Sequence, residues 1–182
     1  MTTNANNVNG IQRVFITGGA GYIGSVMTEL FLDHGYDVTV MDRFFFGSTL
    51  GHLENNPSLH LIKDDIRTFD PVLLSGIDAV IDLAALSNDP AGELDPGKTL
   101  GINFRGRARV AKIAKEQGVK RYILASSCSI YGFQEGILDE TSPVNPLTTY
   151  AEANYMAENA VLPLADDDFI VTVLRQATVY GP

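Results

Sequence analysis

The sequence is poor in the residues that form disulfides, metal centres and membrane spans. It contains one cysteine, so an internal disulfide is impossible and a cysteine-based metal site is not expected. Its three histidines, at positions 34, 52 and 60, do not have the spacing of metal ligands. No apolar run approaches the roughly 20 residues that cross a bilayer, and no basic segment followed by an apolar one opens the chain. We therefore expect a cytoplasmic location, no metal and no membrane partner.

Positive charge is scarce as well. The 182 residues include 13 lysines and arginines against 22 aspartates and glutamates, which gives a formal net charge of −9. This balance argues against nucleic acids and anionic membranes as partners, because both repel a protein of the same sign. The length and the 45% hydrophobic content suit one globular domain with a sizeable core. We expect a loose tail over residues 1–10, rich in Asn and Thr, and a single domain over 11–182.

An apolar run followed by spaced glycines is the strongest positive signal. The run Val14–Thr17 is typical of a strand, and the pattern over 22–34 is typical of a helix. A strand, glycine turn and helix can bind the pyrophosphate of a dinucleotide, because bare backbone lets the phosphates approach and the first N–H groups of the helix face them. The residues predicted to bind the pyrophosphate are Gly18, Gly21, Tyr22, Ile23 and Gly24.

An acid at the end of the next predicted strand suits the same ligand. The strand over 37–42 ends on Asp42, which lies 24 residues after Gly18. A carboxylate at this point accepts hydrogen bonds from the hydroxyls of the adenosine ribose and would repel a 2′-phosphate, so Asp42 favours NAD over NADP. Arg43 weakens that preference, because a neighbouring arginine can accommodate the phosphate of NADP.

Short β-branched runs alternate with helical patterns along the rest of the chain. This alternation predicts an α/β fold of the Rossmann type, a doubly wound parallel sheet with helices on both faces in three layers. Ligands of such sheets lie at the carboxyl ends of the strands, where each further candidate residue falls. The remaining predicted strands are 59–63, 78–84, 120–126 and 169–175, and the remaining predicted helices are 69–75, about 94–117 and about 147–165.

Further candidates for the dinucleotide site follow the third and fourth strands. Asp65 could accept a hydrogen bond from an adenine amino group or could cap a turn. Ala84 and Ala85 are small enough for a flat ring to lie against the backbone, although helix–sheet packing would also explain them. Asn103, in the long predicted helix, could brace neighbouring loops or face solvent.

The end of the fifth strand carries the candidate chemistry. Ser127 lies there within a cluster of serines, and Tyr150 follows 23 residues later. A tyrosine hydroxyl beside a nicotinamide can exchange the proton that accompanies hydride transfer at a carbinol, and a serine hydroxyl can orient the same oxygen. Singly, the serine would suit a turn and the tyrosine a half-buried helix position, but their order behind the glycine turn favours catalysis.

Together these segments resemble the extended short-chain dehydrogenase/reductase family, in its nucleotide-sugar epimerase and dehydratase branch. The segments that carry the resemblance are Thr17–Gly24, Asp65–Arg67, Leu83–Ala85, Ser126–Gly132, Tyr150 with Glu158, and Leu174–Arg175 followed by Val179–Pro182. The resemblance implies NAD as the cofactor, with Asp65 and Ile66 at the adenine. It places Leu83, Ala84 and Ala85 along the middle of the cofactor.

The resemblance also assigns the catalytic hydroxyls to Ser127 and Tyr150. Ser127 is preferred to the neighbouring serines because it stands four residues before Tyr131, where the family places its serine or threonine. The family's lysine, four residues after the tyrosine, is replaced by Asn154. That lysine binds the nicotinamide ribose and stabilises the tyrosinate, and asparagine can keep the hydrogen bond but not the charge. Asn154 could mark a tolerant subfamily, an inactivated enzyme or a protein that binds NAD without turnover.

A second departure from the family pattern is length. Family members continue beyond Pro182 into a region that binds the sugar nucleotide, so this chain would supply the half that holds the cofactor and the catalytic hydroxyls. The sequence predicts an NAD-dependent epimerase or dehydratase that acts at a hydroxyl carbon of a nucleotide-activated sugar. An NAD(P)-dependent alcohol/ketone reductase and a non-catalytic dinucleotide-binding module are the alternatives. A nucleotide sugar is the expected partner, and a homodimer is possible.

Overall fold

Six parallel strands form one sheet in the computed structural model, which describes residues 10–181. Their order is β3-β2-β1-β4-β5-β6, so the direction of winding reverses between β1 and β4. A crevice for ligands opens at the carboxyl ends of the strands at such a reversal. The strands are β1 (Arg13–Thr17), β2 (Asp37–Asp42), β3 (Leu59–Lys63), β4 (Ala79–Asp82), β5 (Arg121–Ser127) and β6 (Ile170–Gln176).

Helices lie on both faces of the sheet, which confirms the predicted doubly wound fold. Side chains alternate along β1: Val14 and Ile16 enter a core shared with Leu32 of the first helix, whereas Phe15 enters a second core with Val110 of a later helix. Two apolar cores therefore sandwich the sheet. The helices are α1 (Tyr22–Asp33), α2 (Asp89–Leu94), α3 (Pro96–Thr99), α4 (Arg107–Glu116) and α5 (Thr149–Val161).

Two of the predicted helices are wrong in form. The helix predicted over 69–75 is a short 3-10 turn, Pro71–Leu74, which Asp70 caps by accepting a hydrogen bond from Val72 N at 2.9 Å. The helix predicted over 94–117 is broken at Asp95, because a residue before proline is driven out of the helical region. It continues as α3, a π-helical segment over Leu100–Gly106, and then α4.

The remaining boundaries shift by a few residues. The helix predicted over 147–165 is α5, which Thr148 caps through Ala151 N at 3.1 Å and which passes into a 3-10 turn at Pro163. The strand predicted over 78–84 is shorter, since β4 ends at Asp82. The predicted tail over 1–10 lies, except for Gly10, outside the described residues. Within 10–181, no helix has both the length and the apolar character needed to cross a membrane.

Candidate active site

The glycine turn after β1 is built from backbone that leaves no room for side chains. Gly18 has φ +69, and its N–H donates to Met41 O at 2.8 Å. A Cβ at Gly18 would lie 2.9 Å from the Cα of Ala84, and one at Gly24 would clash with Gly18 O. Gly21 is less restricted, because its Cβ would lie 3.2 Å from Gly18 O. The turn therefore brings β1, α1 and the loop after β4 into direct backbone contact.

Sequence reasoning missed Gly19, the glycine next to the predicted motif. A Cβ there would lie 2.7 Å from Val40 Cγ1, so Gly19 allows β2 to pack under the turn. The adjacent pair of glycines was a visible signal, but spacing alone gave Gly19 no role.

The first turn of α1 follows immediately. The N–H groups of Tyr22 and Ile23 have no partner within the helix, as in the first turn of any α-helix, and Gly21, the residue before the helix, has no side chain to cap them. The positive end of the helix dipole lies at the same point. The Tyr22 hydroxyl donates to Gly181 O at 2.8 Å, which ties the end of the described chain to this turn.

Asp42 connects the end of β2 to the glycine turn. Its Oδ2 accepts from Ala20 N at 3.1 Å, and its Oδ1 accepts from Phe44 N at 2.7 Å. A carboxylate has about four acceptor positions, so two remain for a ligand. Asp42 is thus positioned by the backbone and still able to accept hydrogen bonds.

Asp65 lies between two arginines. Its Oδ1 accepts from the backbone N and from Nε of Arg67, each at 2.9 Å, and its Oδ2 accepts from Arg67 Nη2 and Arg43 Nη1, each at 2.7 Å. The hydrogen bonds and charge of Arg67, helped by Arg43, lower the pKa of Asp65 to about 2. All four acceptor positions are occupied, so the predicted bond to an adenine would require one arginine to move. One N–H of Arg43 is therefore already bonded to the carboxylate of Asp65.

Hydrogen bonds to Thr17 on one side and to Asn103 on the other hold the loop after β4. Leu83 N donates to Thr17 O at 3.1 Å, and Ala84 N donates to Thr17 Oγ1 at 3.2 Å. Asn103 is fully buried, accepts from Leu86 N at 2.8 Å and donates to Leu86 O at 2.9 Å. Asn103 therefore braces this loop and does not face solvent. Ala85 lies between these attachments, and Ile66 is buried in the second core.

The serines at the end of β5 point to opposite sides. Ser126 faces the buried Glu158 and donates a short hydrogen bond to it. Ser127 donates to Ser129 Oγ and accepts from Ser129 N, each at 3.1 Å. Arg175 donates to Glu158 from both Nε and Nη2, and this pairing raises the pKa of Arg175.

Tyr150 and Asn154 lie one turn apart on α5, as the sequence predicts. Gly92 of α2 packs against Tyr150 so closely that a Cβ at position 92 would lie 2.9 Å from Tyr150 Cβ. Asn154 is 1% exposed, and its Nδ2 donates to Tyr150 O at 2.9 Å. Among the described residues, the hydroxyls of Ser127 and Tyr150 share no hydrogen bond, and Ser127 bonds to Ser129 instead.

A buried arginine that sequence reasoning missed lies beneath Asn154. Arg107 is 2% exposed, and its Nη1 donates to Asn154 Oδ1 at 2.7 Å. Its Nε donates to Ala84 O at 3.1 Å, and its Nη2 donates to Ala125 O at 2.9 Å. The arginine thus joins the loop after β4, the end of β5 and α5. An arginine in a helical pattern is usually exposed, so the sequence held no signal for this role.

Asp82 extends the buried network to the glycine turn. Its Oδ1 lies 4.0 Å from Arg107 Nε and accepts from Thr17 Oγ1 at 2.5 Å. Its Oδ2 accepts from the Tyr122 hydroxyl at 2.5 Å, and complete burial, together with the charge of Asp82, raises the pKa of Tyr122. Continuous polar contacts therefore run from Thr17, beside the glycine turn, to Asn154 on α5.

The site has hydrogen-bond donors and acceptors that suit a dinucleotide. Bare backbone at Gly18 and Gly24, free N–H groups at the start of α1 and the open acceptor positions of Asp42 lie at the carboxyl edge of the sheet. The order of the strands, the glycine turn after β1 and Asp42 at the end of β2 define this protein as a Rossmann-type dinucleotide-binding domain.

The chain belongs to the NAD-dependent epimerase/dehydratase family, whose sequence model matches residues 14–182. This membership confirms the resemblance to the nucleotide-sugar branch of the extended short-chain dehydrogenases. The chain is 30% identical to UDP-glucuronic acid decarboxylase 1 of Arabidopsis thaliana, in a match that covers 93% of this chain and 40% of the relative.

Solved structures of similar proteins share the fold. MoeE5 in complex with UDP-glucose and NAD is 31% identical with a TM-score of 0.82, over 93% of this chain and 56% of that one. UDP-glucuronic acid 4-epimerase from Bacillus cereus, in complex with UDP-glucuronic acid and NAD, is 27% identical with a TM-score of 0.86, over 94% of this chain and 58% of that one. The chain thus spans about two fifths to three fifths of the length of these relatives.

Proposed function

We propose that this chain binds NAD and supplies the cofactor and catalytic-hydroxyl half of an enzyme that acts at a hydroxyl carbon of a nucleotide-activated sugar, by epimerase or dehydratase chemistry. The observation that carries the proposal is the buried network from Thr17 through Asp82 and Arg107 to Asn154. It fixes the glycine turn and the tyrosine helix relative to each other, as a reaction between a bound dinucleotide and Tyr150 would require.

The contacts of Asp42 and Arg43 support NAD rather than NADP. Asp42 keeps two acceptor positions for ribose hydroxyls and a negative charge that would repel a 2′-phosphate. Arg43 donates one N–H to Asp65 at 2.7 Å, so a protein carboxylate already balances part of the positive charge that could offset this repulsion. The alternative of an NADP-dependent reductase is therefore less well supported.

The proposed chemistry divides the work between two hydroxyls and one amide. Bound NAD would supply the hydride acceptor and donor. Tyr150 would take the proton from the reacting hydroxyl of the sugar, and Ser127 would donate a hydrogen bond to the carbonyl oxygen that develops. Ser127 would have to turn its hydroxyl away from Ser129 Oγ to do so. Asn154 would donate a hydrogen bond to the nicotinamide ribose.

Hydride transfer tests this proposal directly. Addition of UDP-glucose or UDP-glucuronic acid, the ligands of the similar solved structures, to the NAD-bound chain fused to the C-terminal part of MoeE5 that it does not match should produce a transient absorbance of reduced nicotinamide. Tyr150→Phe should abolish this signal and leave NAD binding intact. Tyr155→Phe, on the same helix, is the matched control and should retain the signal. If NAD binds and neither sugar gives a signal, the non-catalytic dinucleotide-binding module is favoured.

Pairing of two copies and a cytoplasmic location also remain proposals. Ile170 and Leu174, on the edge strand β6, are 43% and 44% exposed and provide apolar surface for a second copy. Sedimentation of the chain as a clean monomer would contradict the homodimer.

A further inference from the structure

Arg107 joins three segments of the site, but the proposed chemistry assigns no role to its positive charge. Burial of an unpaired charge is costly, so a buried arginine must be compensated by its neighbours. Three acceptors, Ala84 O, Ala125 O and Asn154 Oδ1, compensate it, and the nearest carboxylate oxygen, on Asp82, lies 4.0 Å away. Of the acceptors, Asn154 alone provides a side chain, and that side chain lies where the family carries its lysine.

The hydrogen bond from Arg107 determines which end of the Asn154 amide can face a ligand. A guanidinium group donates and never accepts, so it must face the amide oxygen, as it does at 2.7 Å. The amide nitrogen is then directed away from Arg107. One of its hydrogens is bonded to Tyr150 O, and the second makes no hydrogen bond with residues 10–181. Asn154 therefore keeps an unused donor one turn from Tyr150, and because the residue is 1% exposed, a ligand would reach this donor only after the side chains that cover it moved.

The charge of Arg107 is also directed towards α5. Its Nη1 contacts Asn154, whereas Asp82 lies on the Nε side of the guanidinium. The positive end of this ion pair is thus presented to the helix that carries Tyr150. In a buried site such a charge is screened far less than at the surface.

We propose that Arg107 is a positioning residue for Asn154. Arg107 holds the amide with its nitrogen free to donate, and it supplies the positive charge that asparagine lacks. The inference rests on the proposed NAD site. It explains how the site tolerates asparagine, since the positive charge is carried by Arg107 at the start of α4 and not by a lysine on α5.

A consequence is that Asn154→Lys alone would not repair the site. The new ammonium would be buried beside Arg107, and two like charges in one buried site repel strongly. Removal of the arginine charge, as in Arg107→Gln, should relieve that repulsion. The two substitutions should therefore compensate each other when combined.

The test is a double-mutant cycle of R107Q, N154K and R107Q/N154K, read by thermal unfolding without ligand and by calorimetric titration with NAD. We expect N154K to lower Tm, and R107Q to weaken NAD binding by at least about tenfold. The double variant should unfold at a higher temperature than N154K and should recover most of the NAD affinity. Arg109→Gln is the matched control, because Arg109 lies on the same helix and donates to Phe69 O at 2.8 Å. It should keep the affinity for NAD.

A purely structural role for Arg107 predicts a different result. The double variant would then bind NAD no better than R107Q, and this result overturns the inference. If R107Q does not fold, R107K replaces it because it keeps the cation: a loss of affinity below about tenfold supports the inference, and a greater loss contradicts it. No binding of NAD by the unaltered chain would overturn the proposed function, and the inference with it. The Tm values of the cycle separate a failure of the proposed function from a failure of the coupling, because they measure the coupling of Arg107 to position 154 without NAD.

Discussion

Substitution of Asp65 by asparagine should destabilise the fold at neutral pH and should have less effect in acid. Arg67 and Arg43 lower the pKa of Asp65 from 3.8 to about 2. One pKa unit corresponds to about 1.4 kcal/mol, so ionised Asp65 contributes about 2 kcal/mol to the free energy of unfolding. Because the folded-state pKa is depressed, this contribution is complete above about pH 4 and is lost as the pH falls through about 2.

Urea unfolding of the unaltered chain and of D65N, from pH 7 downward, measures this contribution. The difference in unfolding free energy should be about 2 kcal/mol at pH 7 and should shrink below about pH 4, over the range in which both proteins fold. Asp167→Asn is the control, since Asp167 is exposed, and it should change stability by less than about 0.5 kcal/mol. A difference for D65N that does not depend on pH would refute the reasoning.

Two further substitutions test the glycine turn and the buried Glu158, which accepts hydrogen bonds from Ser126 and Arg175. Gly24→Ala should weaken NAD binding by more than about tenfold in a calorimetric titration, because its Cβ has no room, whereas Gly51→Ala, whose nearest neighbour would be 3.8 Å away, should not. Glu158→Gln should lower the free energy of unfolding by about 3 kcal/mol in urea, because it leaves a partly buried arginine without its charged partner. Glu152→Gln, at an exposed position of the same helix, should be nearly neutral, and equal effects of both glutamate variants would contradict this assignment.

The features that sequence predicts best are those set by local pattern. The period of α1, the alternation of strands with helices and the position of Asp42 all follow from neighbouring residues, and the fold they predict is confirmed. The helix predicted over 94–117 failed because its apolar spacing continues through Pro96, which breaks it locally.

The features that sequence does not predict depend on contacts between distant segments. Gly19 is required by Val40 on another strand, and Asn103 is buried by its bonds to Leu86. Arg107 is buried because three segments converge on its guanidinium, which no local pattern records.

The measurement that tests the central claim most directly is a calorimetric titration of the chain with NAD and with NADP, together with the variants Asp42→Ala and Asp33→Ala. Asp33 is an exposed acid at the end of α1 and serves as the control. We predict that NAD binds more tightly than NADP, that Asp42→Ala weakens NAD binding by at least about tenfold while the variant stays folded, and that Asp33→Ala has no effect. No binding of NAD by the folded chain, or equal binding by the chain and its Asp42→Ala variant, would contradict the account.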